Sequence, residues 1–448
     1  MQFPQSKRPL GFEGHGVVDS EHSDVSDLDE KRRPALAFVD SGPSLLLESL
    51  LEKREVQPVL IRFDRDLPRL SQVHLERTEG VPTFELHPRR GLAREAERFG
   101  DFLRARGLEC RHFCNPNELR QRPSHRFAAL AGLPAMTEVQ GEWLRDKMAM
   151  KAKLQAGGIR VAAHRRVRRL EEALEFAGVH GWPLVLKPID GTACVDTFKI
   201  TSRAEMSHID FNRRRWMLEA FLPGREYGCC ALVYQGEVLD TFVSHLPAPL
   251  LSATDGAMNA NISMRRLPGW FDVDTVGLCQ RVVDLFELGS GYLHMELFKG
   301  TGTGCTVSEV AFRLAGARLP VSHSLAYGFD IFGALLDVHT ARRPELRYTS
   351  DRFVGDLLLP TREGIVEYVT PPEAIESLPG VLRCELKVKR GQEVVRSRGS
   401  HVCSGYAFVE GQSVEEVERR MRRVLRCFEL RTVPSMDRNE AGPKPLCA

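Results

Sequence analysis

Residues 291–318 read GYLHMELFKGTGTGCTVSEVAFRLAGAR, and the fold turns on how that stretch is read. Two runs rich in alternating apolar residues, 292–298 and 305–312, flank a turn of alternating glycine and threonine. The pattern predicts two antiparallel strands joined by a hairpin. Each run carries one acid, Glu296 between Met295 and Leu297, and Glu309 just before Val310. Burying an unpaired carboxylate is costly, and a bound cation removes that cost. Two carboxylates on paired strands suit Mg²⁺, which takes few protein oxygens and completes its shell with water and phosphate. Arg313 follows Glu309 by four residues, at the strand's exit, where a fixed cation can meet phosphate oxygens. The alternative is a pair of salt-bridged acids on a solvated strand face.

Working outward, VLKPIDGTACVDTFKI (185–200) puts Lys187 inside an apolar strand, where a lysine needs an anionic partner. The following loop, 189–198, includes Gly191, Thr192, Ala193 and Cys194. Its backbone N–H groups can fold over a phosphate, although one glycine gives less freedom than several. The stretch 141–162 predicts a single helix stopped by Gly157-Gly158, and it carries Lys147 beside Asp146. Residues 216–245 read as strand, turn, strand, turn, strand. Glu219 and Glu226 lie across the Pro223-Gly224 turn. They can accept hydrogen bonds from a nucleoside's amino and hydroxyl groups, or serve as edge-strand charges. His294 reads either as a satisfied core histidine or as a substrate contact.

The chain has 448 residues, enough for about three domains. Its 42% hydrophobic and 27% charged content is that of an ordinary globular protein. A net charge of +2 gives no global field to recruit nucleic acid or an anionic membrane. No apolar run reaches the ~18 residues of a membrane span. Residues 1–33 are polar and acidic without a secretory apolar core, so the eleven cysteines are expected as free thiols in the cytoplasm. Cys110-Arg-His112-Phe-Cys114 has no second ligand pair at zinc-finger spacing. The run Gly300-Thr-Gly-Thr-Gly304 precedes a strand rather than a helix, so it reads as a hairpin turn, not a dinucleotide fingerprint. There is no G-x-x-x-x-G-K-[ST] phosphate loop, G-x-S-x-G elbow or H-E-x-x-H.

The expected organisation is a disordered tail (1–33) and a small parallel α/β domain (34–135). A central domain (136–345) follows, with a lid at 150–218 and a larger part at 219–345. A β/α region (346–430) and a loose tail (431–448) end the chain. Residues 246–272 are expected to be irregular, 319–341 a helix pair or broken helix, and 414–426 a final helix with its arginines in solvent. The Asp40-Ser-Gly-Pro turn reads as a tight turn or as a contact for an acceptor.

Together these pieces resemble the ATP-grasp superfamily of carboxylate–amine ligases. The resemblance rests on five features in order: Asp146-Lys147 with the later Gly158-Ile159 turn; Val185–Cys194 as V-x-K-P plus a small-residue loop; Glu219; Gly224-Arg-Glu226; and Glu296 followed by Glu309-x-x-x-Arg313. The run EVAFRLAGARLPVSHSLAYGFD looks most like the amino-acid ligase branch, with bacterial dipeptide synthetases and carnosine synthase relatives. The resemblance implies an α/β and α+β ATP-grasp fold with a pre-ATP-grasp N-terminal domain. It implies that Lys147 and Lys187 bind ATP phosphates with Gly191 and Thr192, Glu219 the adenine amino group, and Glu226 the ribose. Glu296 and Glu309 would hold Mg²⁺ or Mn²⁺, and Arg313 with Lys187 would steady the transferred phosphate. Substrate contacts are expected from 40–44, 245–266, His294 and 315–322, with His245, His294 and Gly316 as named candidates. The implied reaction activates a carboxylate, on an amino acid, as an acyl phosphate and couples it to an amine. Within the same fold, a biotin-dependent or purine-pathway carboxylating enzyme and a degenerate nucleotide-binding regulator stay open. A homodimer is compatible with the fold. Two departures are Ala311, where many superfamily members carry asparagine, and the glycine-poor loop.

Overall fold

A computed structural model describes residues 34–253, 256–300, 304–316, 318–395 and 399–434. The expected tail at 1–33, the tip of the Gly300–Gly304 turn and residues 435–448 lie outside the described residues. The chain divides into two units: residues 1–137 with 339–342, and residues 138–338 with 343–448.

In the first unit, apolar strands alternate with helices. The strands are β1 (Ala35–Val39), β2 (Gln57–Phe63), β3 (Thr83–Leu86) and β4 (Cys110–Cys114), in the order β3-β2-β1-β4. All pairings are parallel, as short β-α-β units require. Helix α1 (Leu45–Glu52) starts where the Ser44 hydroxyl accepts from the Leu47 N–H. Phe84, Phe99 and Phe127 pack together in the core of this unit. Asp40, at the end of β1, is fully buried between Arg62 (2.7 Å) and His74 (3.0 Å). Its carboxylate is therefore occupied within the unit, and the tight-turn reading of 40–44 accounts for it.

In the second unit, the expected helix at 141–162 is two helices, Glu138–Arg145 and Lys147–Ala156. Asp146 separates them because its side chain caps the second, accepting from Met148 and Ala149 N–H groups. A four-stranded antiparallel sheet follows, built from β5 (His164–Val167), β6 (Leu184–Pro188), β7 (Phe198–Ile200) and β8 (Trp216–Ala220), in the order β5-β8-β6-β7. Leu184, Leu186, Trp216 and Leu218 bury their side chains against Ala173 and Phe176 of helix Leu170–His180.

The main sheet has eight strands: β9 (Arg225–Tyr234), β10 (Glu237–His245), β11 (Ala260–Met264), β12 (Gly291–Lys299), β13 (Thr306–Phe312), β14 (Phe353–Leu359), β16 (Val381–Leu386) and β18 (Gly405–Gly411). β15 (Gly364–Val369), β17 (Glu393–Val394) and β19 (Leu430–Val433) form a separate small sheet. The main order is β13-β12-β9-β10-β11-β14-β18-β16, all antiparallel. Two sequence expectations change here. Residues 246–272 are not wholly irregular, since β11 joins β10 to β14; its apolar positions, Ala260, Ile262 and Met264, alternate over only five residues. Residues 431–433 are not tail but part of β19, paired with β15. The region 346–430 supplies β14, β16 and β18 to the main sheet, and Leu319–Tyr327 and Ile331–His339 form the expected helix pair.

Candidate active site

β12 and β13 pair so that Glu296 stands directly opposite Glu309. Cross-strand partners project to the same face of a sheet, so both carboxylates point into one cavity. That cavity has a volume of about 280 Å³ and lies wholly in the second unit. Lys147, Lys187, Gly191, Thr192, Glu219, Glu226, His294, Glu296, Glu309, Arg313 and Gly316 all line it. On its floor, Gly228 is the cross-strand partner of Glu296 on the other side. A Cβ there would stand 2.7 Å from the Ser244 hydroxyl, so glycine keeps the strand close and the floor open.

The charges are held by definite partners. Lys147, at the first position of its helix, donates to Glu309 Oε1 (3.0 Å) and to the Gly191 carbonyl (2.8 Å). Lys187 Nζ is 2.5 Å from Glu219 Oε2, and the fully buried Lys151 is 2.5 Å from Glu219 Oε1. Lys151 also donates to the Ser308 carbonyl (2.9 Å). Burial opposes the charge on Lys187, but Glu219 and Glu309 outweigh it and hold the ammonium protonated beyond its usual range. Burial likewise opposes ionisation of Glu219, and the two lysines overcome it, holding the carboxyl down at about 2.

Glu296 is the reverse case. Burial, then the charges of Glu309 and Glu226, push its carboxyl up to about 8. Glu226 accepts from the Leu250 N–H (2.8 Å) and is pushed up to about 7, mainly by burial. Four acids thus line one cavity, and two of them, Glu226 and Glu296, are poorly tolerated as anions. A hard divalent cation between Glu296 and Glu309 relieves this, and the oxygen donors suit Mg²⁺ when phosphate supplies further ligands. Among the described residues no cluster of three or more His, Cys, Asp or Glu forms a closed metal site.

The small-residue loop takes a shape its composition does not favour. Ala193, Cys194 and Asp196 have φ of 53°, 56° and 56°, the left-handed region that glycine adopts most easily. Asp196 pairs with Arg213 and Arg214, and the Ala193 carbonyl accepts from Ser400 N–H at 2.9 Å, which fastens the loop over the cavity. Cys194 faces the carboxylates, and burial and Glu296 push its thiol up to about 12, so it is no thiolate nucleophile.

Two expectations are corrected. His245 does not line the cavity; it is buried beside Tyr227 and Trp270, with Glu418 3.6 Å from Nε2. It leaves the cavity because it follows Ser244, whose side chain points to the opposite face. Glu219, expected to meet an adenine amino group, has each oxygen against a lysine, Lys151 on one and Lys187 on the other. Sequence reasoning also missed Lys151, which stands four residues after Lys147 and one turn along the same helix face. That i, i+4 lysine pair was the available signal. Asn259 and Asn261 fall inside the expected 245–266 stretch without having been named, and Ser400 and His401 were missed; all four line the cavity.

Comparison with known proteins bears on this site. The family described as "L-amino acid ligase C-terminal domain 2" matches residues 356–433. An L-arginine-specific L-amino acid ligase of Bacillus subtilis is 26% identical over 269 residues, 58% of this chain and 65% of that protein. The chain thus spans just under two thirds of this curated relative's length. The crystal structure of an L-amino acid ligase from Bacillus licheniformis superposes with a TM-score of 0.70 at 17% identity, covering 90% of this chain and 99% of that one. An N5-carboxyaminoimidazole synthase from Aspergillus clavatus, solved with ADP and its ribonucleotide, gives 0.66 at 15% identity, covering 89% and 99%. The chain has the ATP-grasp fold of these structures, and its sequence is similar to that of an L-amino acid ligase.

Proposed function

We propose that this chain is an ATP- and Mg²⁺-dependent ligase that joins an amino acid's carboxylate to an amine. The observation that carries the reading is the facing pair Glu296 and Glu309 in one cavity with Lys147, Lys187 and Arg313. This set neutralises phosphate charge and contains no activated serine or cysteine. The solved synthase with ADP shares the fold.

In this reading the nucleotide lies along the β6 and β8 side of the cavity. Val185, Phe221, Leu222 and Leu246 wall the adenine, and backbone groups of 220–222 meet its amino group, because Lys151 and Lys187 occupy Glu219. Glu226 meets the ribose hydroxyls. Glu296 and Glu309 would hold Mg²⁺, which would neutralise charge on the transferred phosphoryl group. Lys187 and Arg313 hold that group in line with the attacking carboxylate.

A carboxylate oxygen attacks the γ-phosphorus and ADP leaves, giving an acyl phosphate. The amine nitrogen then attacks the acyl carbon, phosphate departs with the bonding pair, and the nitrogen loses a proton. An amide results. The loop at 190–197, fastened to Ser400, keeps water from the acyl phosphate in the meantime.

The test incubates the protein with ATP, Mg²⁺ and pairs of L-amino acids, following phosphate release and product mass. The expected product weighs the two amino acids less one water, with one phosphate per product. Release that needs bicarbonate instead would mark a carboxylating enzyme. Nucleotide binding without release under any pairing would mark a regulator, and either result would overturn the proposal.

A further inference from the structure

The cavity carries two asparagines whose orientation the protein fixes. Asn259 and Asn261 stand two residues apart at the start of β11, so they share one face of the strand. Asn259 Nδ2 donates to the Ser400 carbonyl at 2.6 Å. Asn261 Nδ2 donates to Asp356 Oδ2 at 3.1 Å. A carbonyl oxygen and an ionised carboxylate only accept, so in each case the NH₂ must face the protein. The two carboxamide oxygens are then left for the cavity, and both residues line it.

Asp356 is itself fully buried, 3.0 Å from the Ser322 hydroxyl, which pairs with Ser263 at 2.8 Å. This is a rigid backing on the second strand of the main sheet behind β11. Burial pushes the Asp356 carboxyl up to about 7, so at pH 8 it is mainly ionised and acts as an acceptor.

We propose that the oxygens of Asn259 and Asn261 receive the ammonium group of the amino acid whose carboxylate is phosphorylated. The inference rests on the ligase reading and narrows its substrate to acids bearing a free amino group. Paired neutral acceptors favour an ammonium over a neutral amine, which keeps that nitrogen protonated and unable to attack the acyl phosphate. The attacking amine must lose its proton, so it is the other substrate. Arg313 lines the same cavity, four residues after Glu309. Asp356 is a positioning residue that acts through Asn261.

The test uses the twenty L-amino acids, each beside its N-acetyl form, at pH 8 with Mg²⁺. Tm is measured with ADP, and phosphate release with ATP. Free amino acids are expected to raise Tm and support release where their N-acetyl forms do not. Asn261→Leu should raise the KM of the activated amino acid about 10- to 100-fold, the cost of a hydrogen bond to a charged group, while leaving the KM for ATP unchanged. Asp356→Asn should raise the same KM by less, with kcat little changed, because the carboxamide can then turn either way. Asn259→Leu guards against an Asn261 variant that fails to fold. Equal response to free and N-acetyl forms, or an unchanged KM in both leucine variants, overturns the inference. A Tm response to free but not N-acetyl amino acids without phosphate release overturns the ligase reading and leaves only an ammonium-binding site at the two asparagines. No response to any amino acid overturns both.

Discussion

Glu296 and Glu309 face each other across β12 and β13, and Lys147 donates to Glu309 at 3.0 Å. Glu309→Gln keeps the volume and removes the charge. Phosphate release should fall on the order of 10²-fold or more, since a group acting on transferred phosphoryl charge is lost. The circular dichroism spectrum should stay that of the parent, while Tm falls through loss of the Lys147 ion pair. Full activity in this variant would contradict the carboxylate pair's assignment.

Lys151→Met removes one of two ammonium groups from the buried Glu219 carboxylate. Breaking a buried ion pair on one side costs about 3 kcal/mol or more. Urea unfolding should show that loss. A change under about 0.5 kcal/mol would mean that Lys187 alone satisfies Glu219.

The two cavity acids pull stability in opposite directions with pH. Glu219 titrates at about 2 in the folded chain against 4.5 as its ordinary value. The folded state therefore binds fewer protons between those values, and its contribution, full above 4.5, is lost as pH falls toward 2. Glu296 titrates at about 8, so the folded state holds more protons between 4.5 and 8, and stability falls as pH rises through that window. Without nucleotide or cation, Glu296→Gln should raise Tm relative to the parent at pH 8 and change it little at pH 5. Parallel Tm curves for the two proteins would rule out this reading of Glu296.

His245→Asn touches none of the cavity. The KM values for ATP and amino acid should be unchanged, while Tm falls slightly through loss of the Glu418 contact. A KM raised tenfold or more would return His245 to the site.

Much of this arrangement was legible because strands and charges coincide. An acid on each arm of one hairpin fixes its own geometry, since pairing places Glu296 opposite Glu309 once the turn is recognised. Lys187 in an apolar strand demanded a partner, and Glu219 supplies it. Asp146 was harder: its capping role splits what periodicity presents as one helix. Lys151 was missed because helix periodicity does not tell a buried lysine from a solvated one, and only the third dimension shows Glu219 across from it. Asn259 and Asn261 stand at a strand of only five residues, paired to a segment about ninety residues later in the chain. His245 shows the opposite failure. It is a histidine near the site in sequence whose side chain falls on the far face of its strand.

The most direct measurement is a crystal structure of the protein with ADP and Mg²⁺. The account predicts the cation between the carboxylates of Glu296 and Glu309, with Lys147 and Lys187 on the terminal phosphate. A nucleotide bound with those two carboxylates free of the cation, or seated outside this cavity, would contradict it.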